Sequence, residues 1–243
     1  MFHNGSAHAS YDCGWNSDLR QYGNGVVGAE DGLAVMCPIL VPGGSSFQHF
    51  VDGVLPKVVQ VLPFLRHREV KLVLHAPRDA IIWEILLQMN ITQDQVVVYH
   101  SGTAASSHVL DTCITPPLHP LLWRTARALL VPDRDHVTAG HVVDADVVLL
   151  TRARHHNPGR NIVNFAAVVA FLRRRYARRL RVFRGGLTLR ESSALFGKAR
   201  LVIGVHGGAF YNVLFCRDDA TVVEVRISVI PDWSLDYCCV LSD

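Results

Sequence analysis

The sequence predicts an α/β protein of two Rossmann-like domains with parallel sheets facing a cleft. Three observations carry that prediction. Short runs of β-branched residues alternate with longer stretches of helical spacing, the pattern left by parallel sheets covered with helices. The alternation occurs twice, on either side of the loop-like stretch Pro132 to His141. The second round contains Leu201 to Phe215, LVIGVHGGAFYNVLF, which reads as a buried strand, a tight glycine turn and a helix start. The domains expected are residues 31–135 and 141–243, preceded over 1–30 by a polar, glycine-rich arm or the remnant of a missing segment.

Each element has its own signal. Leu33 to Leu40, with Pro38 inside, reads as a strand that ends in the turn Val41-Pro42-Gly43-Gly44-Ser45-Ser46. Ser46 is placed to cap a helix from Phe47 to Leu65, whose apolar stripe is Phe50, Val54, Val58, Val61, Leu62 and Leu65. Val70 to His75 is a strand, and Pro77 is expected to start a helix through Met89. Gln95 to Tyr99 and His108 to Cys113 are further strands, and Leu121 to Leu130 is a helix. In the second half Asp146 to Arg152 is a strand, Ile162 to Arg178 a helix and Arg181 to Arg184 a strand. Thr188-Leu189-Arg190-Glu191 has the form of a capping box and opens a helix to Lys198. After the glycine turn, Thr221 to Ile227 is the last strand.

Composition narrows the class. With 49% hydrophobic residues, 19% charged and 243 residues in all, the chain has ample core for two domains. A net charge of +3 points to no nucleic-acid partner. Lysine occurs only at 57, 71 and 198, so arginine, whose planar fork suits phosphate, supplies nearly all the positive charge. No run reaches the ~18 apolar residues of a membrane span, and the first residues lack the apolar core of a signal peptide. That start predicts a cytosolic chain. The sequons Asn4-Gly5-Ser6 and Asn90-Ile91-Thr92 and the six cysteines would instead suit a secretory compartment. The cysteines follow no zinc spacing, so no metal site is expected from them.

Two groups of residues carry chemistry. A strand–glycine–helix turn aims backbone N–H groups at an anion, and His206, Gly207, Gly208 and Asn212 form such a turn. Arg152 follows the strand that includes Leu150, with Arg154 and Arg160 in the next loop and Asn164 opening the next helix. Those positions lie at carboxyl ends of strands, where open α/β sheets bind ligands. Glu224, near the end of the last strand, is placed to accept from ribose hydroxyls. Together the set suits a nucleotide diphosphate. In the first half, His49 and Asp52 stand three apart near a helix start and share a face, as a general base and its partner would. The triplet His206-Gly207-Gly208 also resembles the oxyanion-hole motif of lipase-like hydrolases. No G-x-S-x-G follows it and only 33 residues remain after Phe210, so that reading fails.

The assembled motifs resemble glycosyltransferase family 61, which includes plant xylosyl- and arabinosyltransferases and animal O-linked N-acetylglucosaminyltransferases. His49-Phe50-Val51-Asp52 with Leu55-Pro56 is similar to the family's "H-x-x-D…LP" segment. Thr151-Arg152 and Arg160-Asn161-Ile162-Val163-Asn164 are similar to its "SR…R-x-I-x-N" element. Val205 to Phe215 resembles its "HGAGLTNLLF" signature, with Val222-Val223-Glu224 after it. Departures are Gly208-Ala209 for Ala-Gly, Phe210-Tyr211 for Leu-Thr, and Thr151 for serine. The resemblance spans roughly residues 33–227.

That resemblance implies a GT-B-like fold and an inverting transfer of xylose, arabinose or N-acetylglucosamine from a UDP-sugar to a hydroxyl of a glycan or glycoprotein. It implies Asp52 as the base, with His49 as the other catalytic residue, and Arg152, Arg160, Asn164, His206, Gly207, Gly208, Asn212 and Glu224 at the donor site. No cofactor is expected, the UDP-sugar being a substrate. A divalent metal is not expected either, because Asp144-Ala145-Asp146 lies before its strand. Family members usually carry an N-terminal anchor or signal sequence, so the Golgi or endoplasmic reticulum lumen is implied. Any membrane contact is expected through an anchor that this chain lacks, as a fragment would. The alternatives are a non-catalytic relative that binds a nucleotide sugar or glycan, and a cytosolic nucleotide-binding protein unrelated to glycans.

Overall fold

The computed structural model describes residues 2–4, 35–41, 43–99, 108–110, 120–131, 146–151 and 162–225. The chain divides into two units, Met1–Ala126 and Arg127–Asp243, each with its own sheet. The division falls within a helix, α4 (Pro120–Leu130), ahead of the expected boundary stretch, all of which lies outside the described residues.

The first sheet contains β1 (Phe2–Asn4), β2 (Val35–Pro38), β3 (Val70–His75), β4 (Val96–Tyr99) and β5 (His108–Leu110), in the order β1-β5-β2-β3-β4. All pairs are parallel except β1 with β5, where Phe2 faces Leu110. Three residues of the expected arm therefore belong to this sheet. Pro38 has no N–H for the ladder and ends β2, and Ile39 N–H resumes the contact on Val73 C=O at 2.9 Å. The core joins Cys37, Ile39, Leu72 and Leu74 to Phe50, Val54, Leu55 and Val58 from the following helical segment. Each such apolar side chain gives roughly 1.5–3 kcal/mol on burial.

That helical segment differs from the continuous α-helix expected over 47–65. α1 (Phe47–His49) passes into a π-helical turn, Phe50–Val54, before α2 (Leu55–Val61), and a 3-10 turn, Phe64–Arg66, ends it. The cause is Pro56. It has no N–H for the Asp52 carbonyl and its ring crowds that oxygen, so Leu55 N–H reaches back five residues to Phe50 C=O instead. The next helix, α3 (Ala80–Gln88), starts later than expected, leaving Pro77 outside it. Ser46 is the N-cap of α1 but makes no capping bond, since its hydroxyl donates to Gly43 C=O at 3.0 Å. Asp79 replaces it, its Oδ2 accepting the Phe47 N–H at 2.7 Å.

The second sheet is wholly parallel, in the order β7-β6-β8-β9. Its strands are β6 (Val147–Leu150), β7 (Leu180–Phe183), β8 (Leu201–Val205) and β9 (Thr221–Val225). All four residues of β6 are buried, as a central parallel strand requires. Residues α5 (Phe165–Tyr176) and α6 (Leu189–Lys198) link the strands. Phe196 of α6 meets Phe183 of β7 edge to face at 5.1 Å. The expected capping box is present: Thr188 Oγ1 accepts the Glu191 N–H at 3.2 Å, and Glu191 Oε2 accepts the Thr188 N–H at 2.9 Å. Gly204 lets two strands' side chains share space, because a Cβ there would stand 2.6 Å from Leu150 Cβ.

Gly208–Phe215, expected as an α-helix start, is a 3-10 helix of 8 residues. Asn212 explains the tighter winding. Its side-chain amide donates to Ala209 C=O at 3.0 Å, the carbonyl that an α-helix would offer to Val213 N–H.

Candidate functional site

In the second unit the carboxyl ends of β8 and β9 hold the first group. Gly207 has φ 152° and ψ −179°, a region populated almost only by glycine, so the chain can reverse there without a Cβ. Its carbonyl accepts the Phe210 N–H at 2.9 Å, which makes the Gly208 and Ala209 N–H groups precede the first internal bond of the turn. These N–H groups, rather than the macrodipole of a full α-helix, are what the turn can offer an anion.

His206 joins the turn to the neighbouring strand. Its main-chain N–H donates to Val225 C=O at 3.1 Å. Gly204 is paired with Glu224 in the ladder, so His206, two residues on, lies on the same face as that carboxylate. His206 Nδ1 stands 2.7 Å from Glu224 Oε1, and the two side chains are only 15% and 11% exposed. A carboxylate at Nδ1 favours the tautomer protonated there and leaves Nε2 as the ring nitrogen for a ligand. Glu224, read from sequence as a ribose acceptor, is here the partner of His206. Asn212 is 4% exposed and faces inward to the Ala209 carbonyl, so it fixes the turn. Asn164 is the exposed N-cap of α5, without a capping bond. Arg152, Arg154 and Arg160 lie outside the described residues.

The first unit holds the second group, at the carboxyl end of β2. Gly43, at φ 73°, lies against His49, whose Cδ2 would be 2.6 Å from a Cβ built there. The His49 ring is thus held between the glycine turn and Asp52, with Nδ1 3.5 Å from Asp52 Oδ2. His49 is 43% exposed and Asp52 16%, so the imidazole is the member that meets solvent. Its pKa is raised above 6.5. Hydrogen bonding to Asp52 is the largest cause, exceeding the opposing effect of burial, and the Asp52 charge adds to it. The π turn, which Pro56 imposes, sets the backbone from which Asp52 projects.

Three features had gone unread in the sequence. Asp79 binds the α1 N-terminus from 32 residues away, and nothing local announces it. Lys57 is 2% exposed; its signal was a lysine three residues after Val54 and one before Val58, on the apolar stripe. The His206–Glu224 pair depends on strand register, which spacing alone does not supply. Elsewhere in the second unit, burial pushes the Cys216 thiol up to about 12, against the opposing effect of Arg127. Cys37 and Cys216 are both buried free thiols.

Comparison with known families supplies one match. The model of the family described as Glycosyltransferase 61 matches residues 47–223. The match begins at α1, includes His49, Asp52 and the glycine turn, and stops one residue short of Glu224. No curated protein matches the chain.

Proposed function

The chain belongs to glycosyltransferase family 61, and on that premise we propose that it moves xylose, arabinose or N-acetylglucosamine from a UDP-sugar to a hydroxyl of a glycan or glycoprotein, with inversion. The observation that carries this reading is the His206–Glu224 pair at the Gly207–Gly208 turn. In the proposed reaction His49, the more exposed of the pair, rather than the expected Asp52, takes the proton of the acceptor hydroxyl as its oxygen attacks the anomeric carbon. The bond from that carbon to the diphosphate oxygen breaks, and UDP leaves with the electron pair. Negative charge grows on the leaving group, where the turn's N–H groups and His206, held by Glu224, stabilise it. Asn164, Arg152 and Arg160 complete the donor site in this reading. The fold is taken as GT-B-like, the first unit serving the acceptor and the second the donor. No divalent metal is assigned a role.

Asp52 acts through His49 by raising its basicity. The family also points to the Golgi or endoplasmic reticulum lumen; among the described residues no helix is long and apolar enough to cross a membrane. The non-catalytic reading rests on the altered turn as a whole, of which Phe210 is one departure. Phe210 is 1% exposed and packs in the core, which weakens that objection. Turnover decides between the two. With UDP-xylose, UDP-arabinose and UDP-N-acetylglucosamine each offered to a panel of glycan acceptors, UDP release is expected from one donor. His49→Ala should then lower kcat by roughly 10²–10⁴-fold. Asp52→Asn should move the acid limb of the pH–rate profile downward, since it removes the main cause of the raised His49 pKa. Binding of UDP without transfer from any of the three would leave the non-catalytic relative.

A further inference from the structure

One side of the second unit carries a groove that the donor site does not use. It occupies about 580 Å³ between α5 and β7, on the far edge of the sheet from β9. Its floor is apolar, from Phe165, Val169, Leu180 and Val182, and its rim is basic, from Arg173, Arg181 and Arg184. Three facts bear on what it takes.

The first is charge. Residues 161–190 contain eight arginines and no acidic residue. Among the described residues Arg179 has an acidic partner, Asp146 at 3.0 Å, whereas none pairs with Arg173, Arg181 or Arg184. The second is main-chain geometry. Among the described strands β7 has only β6 beside it, so the backbone groups along its other side meet no strand. The third is side-chain alternation. Leu180 and Val182 point to one face of β7 and Arg181 to the other. Since all three line the groove, it wraps the strand's edge rather than lying on one face.

We propose that this edge is a docking site for an extended acidic polypeptide segment, which adds to β7 as a strand, sets alternate apolar side chains into the groove and pairs its carboxylates with Arg173, Arg181 and Arg184. Strand addition uses the exposed backbone for affinity and the alternate pockets for selectivity. A bilayer surface would meet the arginines but could not follow a concave groove along a strand edge. The proposal stands independently of the transfer reaction.

The test uses the full chain and a fluorescent peptide, Glu-Val-Glu-Leu-Glu-Val-Glu. Three comparisons accompany it: the lysine-for-glutamate peptide, the same acidic peptide N-methylated at alternate residues, and vesicles of phosphatidylserine in phosphatidylcholine. The acidic peptide is expected to bind, and the lysine peptide is not. N-methylation should abolish binding by removing the strand's donors. Arg181→Glu with Arg184→Glu should weaken it by roughly tenfold or more, because two attractive contacts become repulsive. Both arginines are exposed, and an unchanged thermal midpoint would show that the doubly substituted protein remains folded. Absence of acidic-peptide binding overturns the proposal. So does equal binding of the N-methylated peptide, which would reduce the groove to a charged surface, or binding of vesicles alone.

Discussion

At the scale of single residues, two histidines sit beside carboxylates and differ in what surrounds them. His206 and Glu224 are both largely buried, and their contact follows from parallel register. His49 is half-exposed, and its partner Asp52 lies at a turn widened by a proline. The His49 pKa is raised in the folded chain. Its ion pair therefore contributes stability that is fully present below the ordinary value of 6.5 and is lost as pH rises through the raised value. Asp52→Asn should lower the midpoint of the His49 ring resonances in an NMR titration. The stability gap between wild type and Asp52→Asn should also narrow as pH rises across that window. An unchanged midpoint would remove Asp52 as the cause of the raised pKa and as the residue that raises the basicity of His49.

At the scale of elements, the capping box and the glycine turn make opposite demands on sequence reading. Thr188 and Glu191 are three apart and form their bonds with each other, so the start of α6 was legible in four letters. Thr188→Ala should cost about 1 kcal/mol and lower Tm by a few degrees, without touching ligand binding. Gly207→Ala should cost about 1–3 kcal/mol through backbone strain and should also lower UDP affinity, since the turn would shift. Calorimetric scans and binding isotherms on the two variants separate these outcomes. Strands β3 and β8 were legible for the same reason as the cap, being short, largely apolar runs whose type follows from local spacing. The π turn and the 3-10 helix were not. Apolar periodicity shows which face is buried but not whether a carbonyl bonds three, four or five residues ahead. Pro56 and Asn212 decided that through steric exclusion and side-chain competition.

At the scale of the molecule, the α/β class with parallel sheets was readable because each strand–helix alternation is local. Strand order was less so: the antiparallel pairing of Phe2–Asn4 with β5 joins residues over 100 apart and has no signal near either. The candidate donor site was legible as a set of residue types around His206-Gly207-Gly208, while the role of Glu224 depended on which strand lay beside β8. The claim on which the functional reading rests is that this turn holds a diphosphate. Isothermal titration of the full chain with UDP, with and without EDTA, tests it directly, alongside His206→Ala and Glu224→Gln. The account predicts binding by wild type that EDTA leaves unchanged, roughly tenfold or greater weakening in Glu224→Gln, and loss in His206→Ala. Folded wild-type protein that fails to bind UDP, or His206→Ala that binds it as tightly, would contradict the account.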